Sequence, residues 1–232
     1  MFTKTAEYYD ALYQFKDYEQ ACNQLHLLIQ QQAPQANNLL DVACGTGKHL
    51  EYLQHRYACT GLDLNSELLA VARTRCPNVP LQEADMTDFQ LAETFDVVVC
   101  LFSSIGYVQT EENLRKAVTC LGQHLNSGGL LVIEPWITPE NYWVDKLTVN
   151  FVDQPNLKIA WMYISQLRGL TSVFDINYLV GTPDGVSSFT ESHVMGLWTD
   201  KQYREAIESV GVAVQYDTKG LFGRGMYYGI KA

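Results

Sequence analysis

Positive charge is scarce in this sequence. Its 232 residues carry 16 Lys and Arg against 26 Asp and Glu, a formal net charge of −10. No basic cluster offsets that balance, since Arg73 and Arg75, or the pair Arg115 and Lys116, are too sparse to track a phosphate backbone. No nucleic-acid partner is expected on electrostatic grounds. Long apolar runs are missing too: none approaches the roughly 20 residues of a membrane span, so no membrane partner is expected. The start, Met1-Phe2-Thr3-Lys4-Thr5-Ala6-Glu7, lacks the apolar core of a secretory signal, and a cytoplasmic location is expected. The six cysteines, Cys22, Cys44, Cys59, Cys76, Cys100 and Cys120, form no C-x-x-C pair. Several sit in apolar runs and read as small buried hydrophobes in a reducing compartment, not as disulfides. No His/Cys/Asp grouping has ligand spacing, so no metal is expected.

A hydrophobic fraction of 47% against 18% charged residues excludes a disordered chain and lets a domain of this length bury a full core. Residues 17–33 place Ala21, Leu25, Leu28 and Ile29 at helical spacing and stop before Pro34. Leu39 to Cys44 is a short apolar run that ends at Gly45, a buried strand feeding a glycine turn, with a helix from Lys48 to about His55. The alternation repeats. Strands are expected at Tyr57–Asp63, Val79–Ala84, Phe95–Phe102 and Leu130–Glu134, with helices to about Arg75 and from Thr110 to about His124, and a turn at Ser127-Gly128-Gly129. Near-continuous apolar strands alternating with helices mean a parallel sheet covered on both faces. The rhythm changes after Pro135. Ile159, Trp161 and Tyr163 alternate with Lys158, Ala160 and Met162, and Thr182-Pro183-Asp184-Gly185 signals a turn. Three or four antiparallel strands are expected in an inserted lobe spanning 137–195. The main domain would then comprise 1–136 and 196–232, with 1–35 as a helical cap. A helix from Thr199 to about Ser209 and two strands, Val212–Asp217 and Met226–Lys231, would close the sheet as a hairpin.

Chemistry concentrates at the strand ends. Asp41-Val42-Ala43-Cys44-Gly45-Thr46-Gly47 terminates the first strand, where open α/β sheets bind ligands. It is not a P-loop: Val42 stands where G-x-x-x-x-G-K-[ST] needs its first glycine, and His49 follows Lys48. It departs from the dinucleotide pattern G-x-G-x-x-G at Leu50. Asp63, ending the second strand, suits two ribose hydroxyls, against the plainer role of a helix cap. Asp85, in Ala84-Asp85-Met86 after the third strand, can accept from an adenine amine, with Met86 or Leu101 sandwiching the ring. A methionine there is otherwise ordinary core.

Together these residues resemble the class I methyltransferases that use S-adenosylmethionine (SAM), over roughly residues 36–135. That resemblance implies a doubly wound α/β domain with a seven-stranded sheet whose last strand is antiparallel. A closer likeness runs the length of the chain. Tyr9-Asp10-Ala11-Leu12-Tyr13 with Lys16-Asp17-Tyr18, the 41–47 loop, Phe102-Ser103-Ser104-Ile105-Gly106, Glu134-Pro135-Trp136 and Gly223-Arg224-Gly225 resemble the N,N-dimethyltransferases of nucleotide-linked amino sugars, the desosamine and mycaminose type. Carried over, the resemblance implies a cofactor set of Tyr9, Asp41, Ala43, Gly45, Gly47, Asp63, Leu64, Asp85, Met86 and Leu101, and substrate contacts from Tyr18, Trp136 and Arg224. The pattern departs at Tyr107, where a histidine would follow Ser-Ser-Ile-Gly, and at Lys219-Gly220-Leu221-Phe222.

SAM carries a sulfonium methyl and leaves as S-adenosylhomocysteine. A neutral amine attacks it unaided, so the enzyme has to align, desolvate and exclude water. Aromatic rings suit that task and attract cations. Tyr13, Tyr18 and Trp136 are favoured for it over simple core packing. His193 is a candidate base against the plainer reading of a satisfied lobe histidine, and Tyr13, Tyr107 and His193 form the candidate catalytic set. Arg224, between two glycines, suits an anionic part of the acceptor. The expected activity is N-methylation of a small-molecule amine. The alternatives are a small-molecule O-methyltransferase and a SAM-binding accessory protein without turnover. The exposed edges of the inserted strands leave room for a homodimer.

Overall fold

The fold described here is a computed structural model covering residues 4–232; Met1 to Thr3, the first residues of the polar start, lie outside the described residues. The elements in chain order are α1 (Tyr9–Leu12), α2 (Tyr18–Gln32), β1 (Asn38–Val42), α3 (Lys48–Leu53), β2 (Ala58–Asp63), α4 (Ser66–Arg75), β3 (Leu81–Glu83), β4 (Phe95–Cys100), α5 (Glu111–Gln123) and β5 (Leu125–Ile133). They continue with β6 (Leu147–Gln154), β7 (Leu157–Ile164), β8 (Gln166–Arg168), β9 (Thr171–Thr182), β10 (Gly185–Gly196), α6 (Asp200–Glu208), β11 (Val212–Asp217) and β12 (Met226–Lys231). Helix starts are set by side-chain caps. Asp17 accepts from Gln20 N, Asn65 from Glu67 N and Leu68 N, and Thr199 forms a capping box with Gln202.

The main sheet has seven strands in the order β11-β12-β5-β4-β1-β2-β3. Strands β1 to β5 run parallel, and β12 is antiparallel to both β5 and β11. The expected doubly wound sheet with a closing hairpin is therefore present. Both faces are covered, which is why its strands read as unbroken apolar runs. Val97, Val99, Leu130 and Val132 pack with α2, α3 and α4 residues such as Leu25, Ile29, Leu50 and Leu69. Val98, Cys100, Leu131 and Ile133 pack on the other side with Leu114, Val118, Trp198 and Tyr203. All six cysteines are buried and free of disulfides. Among the described residues no helix is long and apolar enough to cross a membrane.

A second, antiparallel sheet follows β5, in the order β10-β9-β7-β6 with β8 paired to β9. It has five strands where three or four were expected. The extra one, β8, is three exposed residues with no apolar alternation to announce it. The Ser127-Gly128-Gly129 stretch is another correction. It lies inside β5 as an irregularity against β4, with Gly128 at φ +78°, rather than separating a helix from a strand.

Strand order reverses between β1 and β4. The carboxyl ends of β1 to β5 thus open on one edge of the sheet, and two other parts of the chain converge there. The amino-terminal segment is held by Asp10, which accepts from Thr46 Oγ1 at 2.8 Å and pairs with Arg75. It is held again where Lys4 N and Thr5 Oγ1 donate to Glu191 of β10. Those contacts lay it across both sheets.

Candidate active site

Two adjoining chambers occupy the carboxyl edge. The first, of about 290 Å³, is lined by Ala43 and Gly45 from the β1 turn, Asp63 and Leu64 at the end of β2, and Ala84, Asp85 and Met86 just after β3. Tyr9 and Val108 close it. The turn is backbone-open at Gly45, which sits at φ +57° with nothing within 4 Å of where a Cβ would stand. Asp63 is buried. Its Oδ2 accepts from Gly45 N and its Oδ1 from Asn65 N, both at 2.8 Å, so the carboxylate fastens the glycine turn and keeps further lone pairs for a ligand. Burial raises its pKa while the N–H bonds from Asn65, Gly45 and Leu64 oppose the rise. Asp85 is exposed to the chamber, and its Oδ1 accepts from Thr87 N and Thr87 Oγ1 at 2.8 Å.

A small crevice continues from this chamber along the glycine turn, between Cys44, Thr46 and His49 on one side and Tyr18, Leu101 and Phe102 on the other. His49 is buried, its Nε2 has no partner among the described residues, and burial holds its pKa down at about 4. Asp41 lies beneath the turn, 1% exposed, with both carboxylate oxygens unpartnered among the described residues. Burial, and then the neighbouring Asp63, push its pKa up to about 8.

The second chamber, of about 240 Å³, lies between the main sheet's edge and the lobe. Its walls are aromatic: Tyr13, Phe15, Phe102, Trp136, Trp161, Tyr163 and Phe174. The Trp136 indole is fixed by Nε1 donating to Ser172 Oγ at 2.9 Å and by the edge of Phe174. Two cations face the chamber, and among the described residues no carboxylate lines it. Arg224 Nη1 donates to Ser103 Oγ at 3.0 Å, and the guanidinium lies 4.7 Å from the Trp136 ring centroid. Arg224 has no carboxylate within 4.0 Å among the described residues, and loss of solvation lowers its pKa from the ordinary arginine value while Tyr13 and Glu134 oppose the fall. Lys16 Nζ lies 4.9 Å from the Phe222 ring and 5.6 Å from Phe102. Burial, then the nearby Arg224, lower its pKa.

Tyr9, Ser104 and Tyr107 line both chambers and mark their junction. Tyr107 Oη is 2.9 Å from His193 Nδ1. Burial holds His193 down at about 4, so its ring is neutral near pH 7, while burial raises Tyr107 well above the ordinary tyrosine value. Tyr13 is pushed up to about 12, also by burial. The turn that carries Ser104 is strained: Phe102 and Ser103 have φ of +53° and +63°.

Most residues expected from the sequence meet here, and four do not line the chamber their assignment implied. Tyr18 is buried at the glycine-turn crevice, edge-on to His49, and not in the aromatic chamber. Leu101 lines that crevice and the core instead of the adenine side. Gly47 caps α3 and faces α4, where a Cβ would stand 3.2 Å from Ala72 Cβ. Asp41 supports the turn from below. Lys16 and Ser104 stand in family-like segments of the sequence but carried no role of their own there, and the lobe's contribution of Asn150, Trp161, Tyr163 and Phe174 was missed. The β7 alternation carried a signal, because Trp161 and Tyr163 share the face with buried Ile159.

Residues 39–129 match the family model described as a methyltransferase domain. The chain is 36% identical to the dTDP-3-amino-3,4,6-trideoxy-alpha-D-glucopyranose N,N-dimethyltransferase of Streptomyces venezuelae, covering 98% of each protein. It is 35% identical to the dTDP-4-amino-2,3,4,6-tetradeoxy-D-glucose N,N-dimethyltransferase of Saccharopolyspora spinosa, over 97% of this chain and 92% of the relative. Among solved structures it resembles SAM-bound CalS10, an amino pentose methyltransferase from Micromonospora echinaspora involved in calicheamicin biosynthesis. The TM-score is 0.89 at 31% identity, over 100% of this chain and 98% of the other.

Proposed function

The chain belongs to the SAM-dependent N,N-dimethyltransferases of nucleotide-linked amino sugars, and from that membership we propose that its acceptor is the amino group of a deoxysugar carried on a nucleoside diphosphate. The observation that carries this reading is the second chamber itself. Its walls are aromatic, Arg224 and Lys16 are its charged groups among the described residues, and it joins the cofactor chamber at Tyr9, Ser104 and Tyr107.

The cofactor chamber fits SAM. In this reading Asp63 takes the ribose hydroxyls and Asp85 the adenine amine, with Leu64, Met86 and Val108 against the ring. The open glycine turn from Ala43 to Gly45 takes the amino-acid tail, toward the crevice where Tyr18 and His49 stand. When bound, SAM supplies a methyl group on a positively charged sulfur that departs neutral. Asp41, with its pKa pushed up to about 8, is mostly protonated near pH 7 and lies at the turn as a neutral carboxyl.

On the acceptor side the protein's work is positioning. Arg224 and Lys16 hold the anionic diphosphate, whose binding energy orients the sugar. Tyr13, Trp136, Trp161 and Phe174 keep the sugar's reacting face dry. Among the described residues no lining carboxylate stabilises an ammonium, so the chamber favours the amine in its neutral, nucleophilic form. The Tyr107–His193 pair stands at the junction and gives the amine a hydrogen-bonding partner there. A histidine held near 4 is a weak base, so its role is orientation, and the amine's proton leaves to water between the two methylations. The segment 137–195 forms the acceptor-side cover.

The test is transfer from methyl-labelled SAM to aminodeoxysugar nucleotides and to their hydroxyl counterparts. Label on the amines, with rates that rise with pH as the free amine deprotonates, is the expected result. Label confined to hydroxyl acceptors contradicts the N-methyl assignment.

A further inference from the structure

Glu134 directly follows β5, is 2% exposed, and forms no ion pair among the described residues. Its carboxylate is occupied by backbone donors from two distant segments. Phe102 N donates to Oε2 at 2.8 Å and Leu221 N to Oε1 at 3.2 Å. Phe222 N–H reaches it as well. The first arm holds the turn in which Phe102 and Ser103 both take left-handed φ, a conformation that persists only where its surroundings impose it. The second arm holds the 219–225 loop, which is folded tightly enough that a Cβ on Gly220 would stand 2.5 Å from Gly225 O.

The two segments meet a second time. Ser103 Oγ donates to Pro135 O at 2.7 Å and receives Arg224 Nη1 at 3.0 Å. Phe222 packs edge-on against Phe102, with ring centroids 5.4 Å apart. Residues 102–103, 134–136 and 221–224 thus form a closed ring of contacts, and the only acidic side chain in it is Glu134. A carboxylate accepts N–H bonds from both sides at once, whereas an amide of the same shape offers one oxygen and a competing N–H₂ group.

We propose that Glu134 is a positioning residue for acceptor binding. By joining the strained Phe102–Ser103 turn to the 219–225 loop, it sets the direction in which Arg224 presents its guanidinium to the acceptor's anionic group. This rests on the reading of Arg224 as the anion anchor. Glutamine at 134 leaves one arm unmade, frees the loop, and spreads the guanidinium over directions that do not converge on the anion. The main cofactor chamber is lined by none of the ring-forming residues, and only Phe102 borders the crevice beyond the glycine turn.

The experiment is calorimetric binding of inorganic pyrophosphate to the full chain saturated with S-adenosylhomocysteine, for the wild type, Glu134→Gln, Arg224→Ala and the double variant. Arg224→Ala should weaken pyrophosphate about tenfold or more, and Glu134→Gln about five- to tenfold. The double variant should be no weaker than Arg224→Ala alone, because both changes remove the same contact. S-adenosylhomocysteine affinity should stay within about twofold throughout. Unchanged pyrophosphate affinity in Glu134→Gln, or a loss that adds in full to that of Arg224→Ala, overturns the proposal and leaves the anchor standing. Undiminished affinity in Arg224→Ala removes the anchor itself. Should Glu134→Gln fail to fold, Ser103→Ala cuts the ring at the arginine. A loss of about two- to fivefold with an unchanged melting temperature supports the proposal, and no loss contradicts it.

Discussion

The cofactor chamber and the acceptor chamber share three residues, yet they are made in different ways. The first is assembled from consecutive strand ends, Ala43 and Gly45, then Asp63 and Leu64, then Asp85 and Met86, each delivered by the parallel register of its own strand. The second draws on segments far apart in the chain: Tyr13 and Lys16, Phe102 and Ser104, Trp136, the lobe strands and Arg224. The first presents carboxylates and open backbone. The second presents rings and cations. In the proposed reading the difference follows from what each ligand offers. A cofactor common to many enzymes would be held by the fold's own strand ends, and an individual acceptor by what has been added around them.

Acid should strike both regions, and most heavily. His49 at the glycine turn and His193 in the acceptor chamber are both held near 4 by burial. Between pH 6.5 and 4 the unfolded chain takes up protons that the folded chain refuses. Each histidine therefore contributes stability that is full above about 6.5 and is lost as pH drops through that window, by up to about 3 kcal/mol. Asp41, raised to about 8, works against this, because the folded chain takes up its proton below about 8 and the unfolded chain only near 4. Denaturant melts of the wild type and His49→Gln at pH 7.5 and 5 isolate the histidine: the variant should gain about 2 kcal/mol on the wild type between the two pH values. An unchanged difference would mean that this ring is charged when folded.

The next largest effect separates the chambers. Asp63→Ala removes the ribose partner and unfastens Gly45, and should weaken SAM by about 1–3 kcal/mol, roughly 5- to 150-fold, in a calorimetric titration. Pyrophosphate binding at the acceptor side should barely change. Arg224→Ala should do the converse, lowering acceptor kcat/KM about 10- to 30-fold while SAM affinity holds. Arg224→Lys should not restore a two-pronged contact. If Arg224→Ala instead lowers the melting temperature and keeps full efficiency in the surviving protein, the arginine belongs to the frame of the fold. The smallest effect tests the junction. Tyr107→Phe removes the hydroxyl at His193 and should lower kcat only about three- to tenfold, with the pH profile unshifted if the pair orients the amine. An altered profile would make the pair a proton acceptor.

This contrast also explains what the sequence made legible. The glycine turn, Asp63 and Asp85 could be located because each follows an apolar run whose end is visible one strand at a time. The seven-stranded sheet follows from the same runs. The acceptor chamber depends on pairings that no local pattern encodes. His193 meets Tyr107 across 86 residues, and Arg224 meets Ser103 across 121. The family resemblance of Lys16-Asp17-Tyr18, not a local pattern, assigns Tyr18 to the acceptor. Tyr18 opens α2 and turns its ring into the crevice beside His49, leaving Lys16 at the chamber. Glu134 looked like the polar end of a strand, since only the folded chain brings Phe102 and Leu221 to it.

In the proposed function, two chambers meeting at Tyr9, Ser104 and Tyr107 bring a cofactor methyl to the amine of a sugar nucleotide. A crystal structure of the chain with S-adenosylhomocysteine and an N-methylated sugar nucleotide decides it. The cofactor's sulfur and the sugar's nitrogen should face each other across that junction, with the diphosphate between Lys16 and Arg224. A sugar nucleotide bound elsewhere, or one with its nitrogen turned away from the junction, would overturn the proposal.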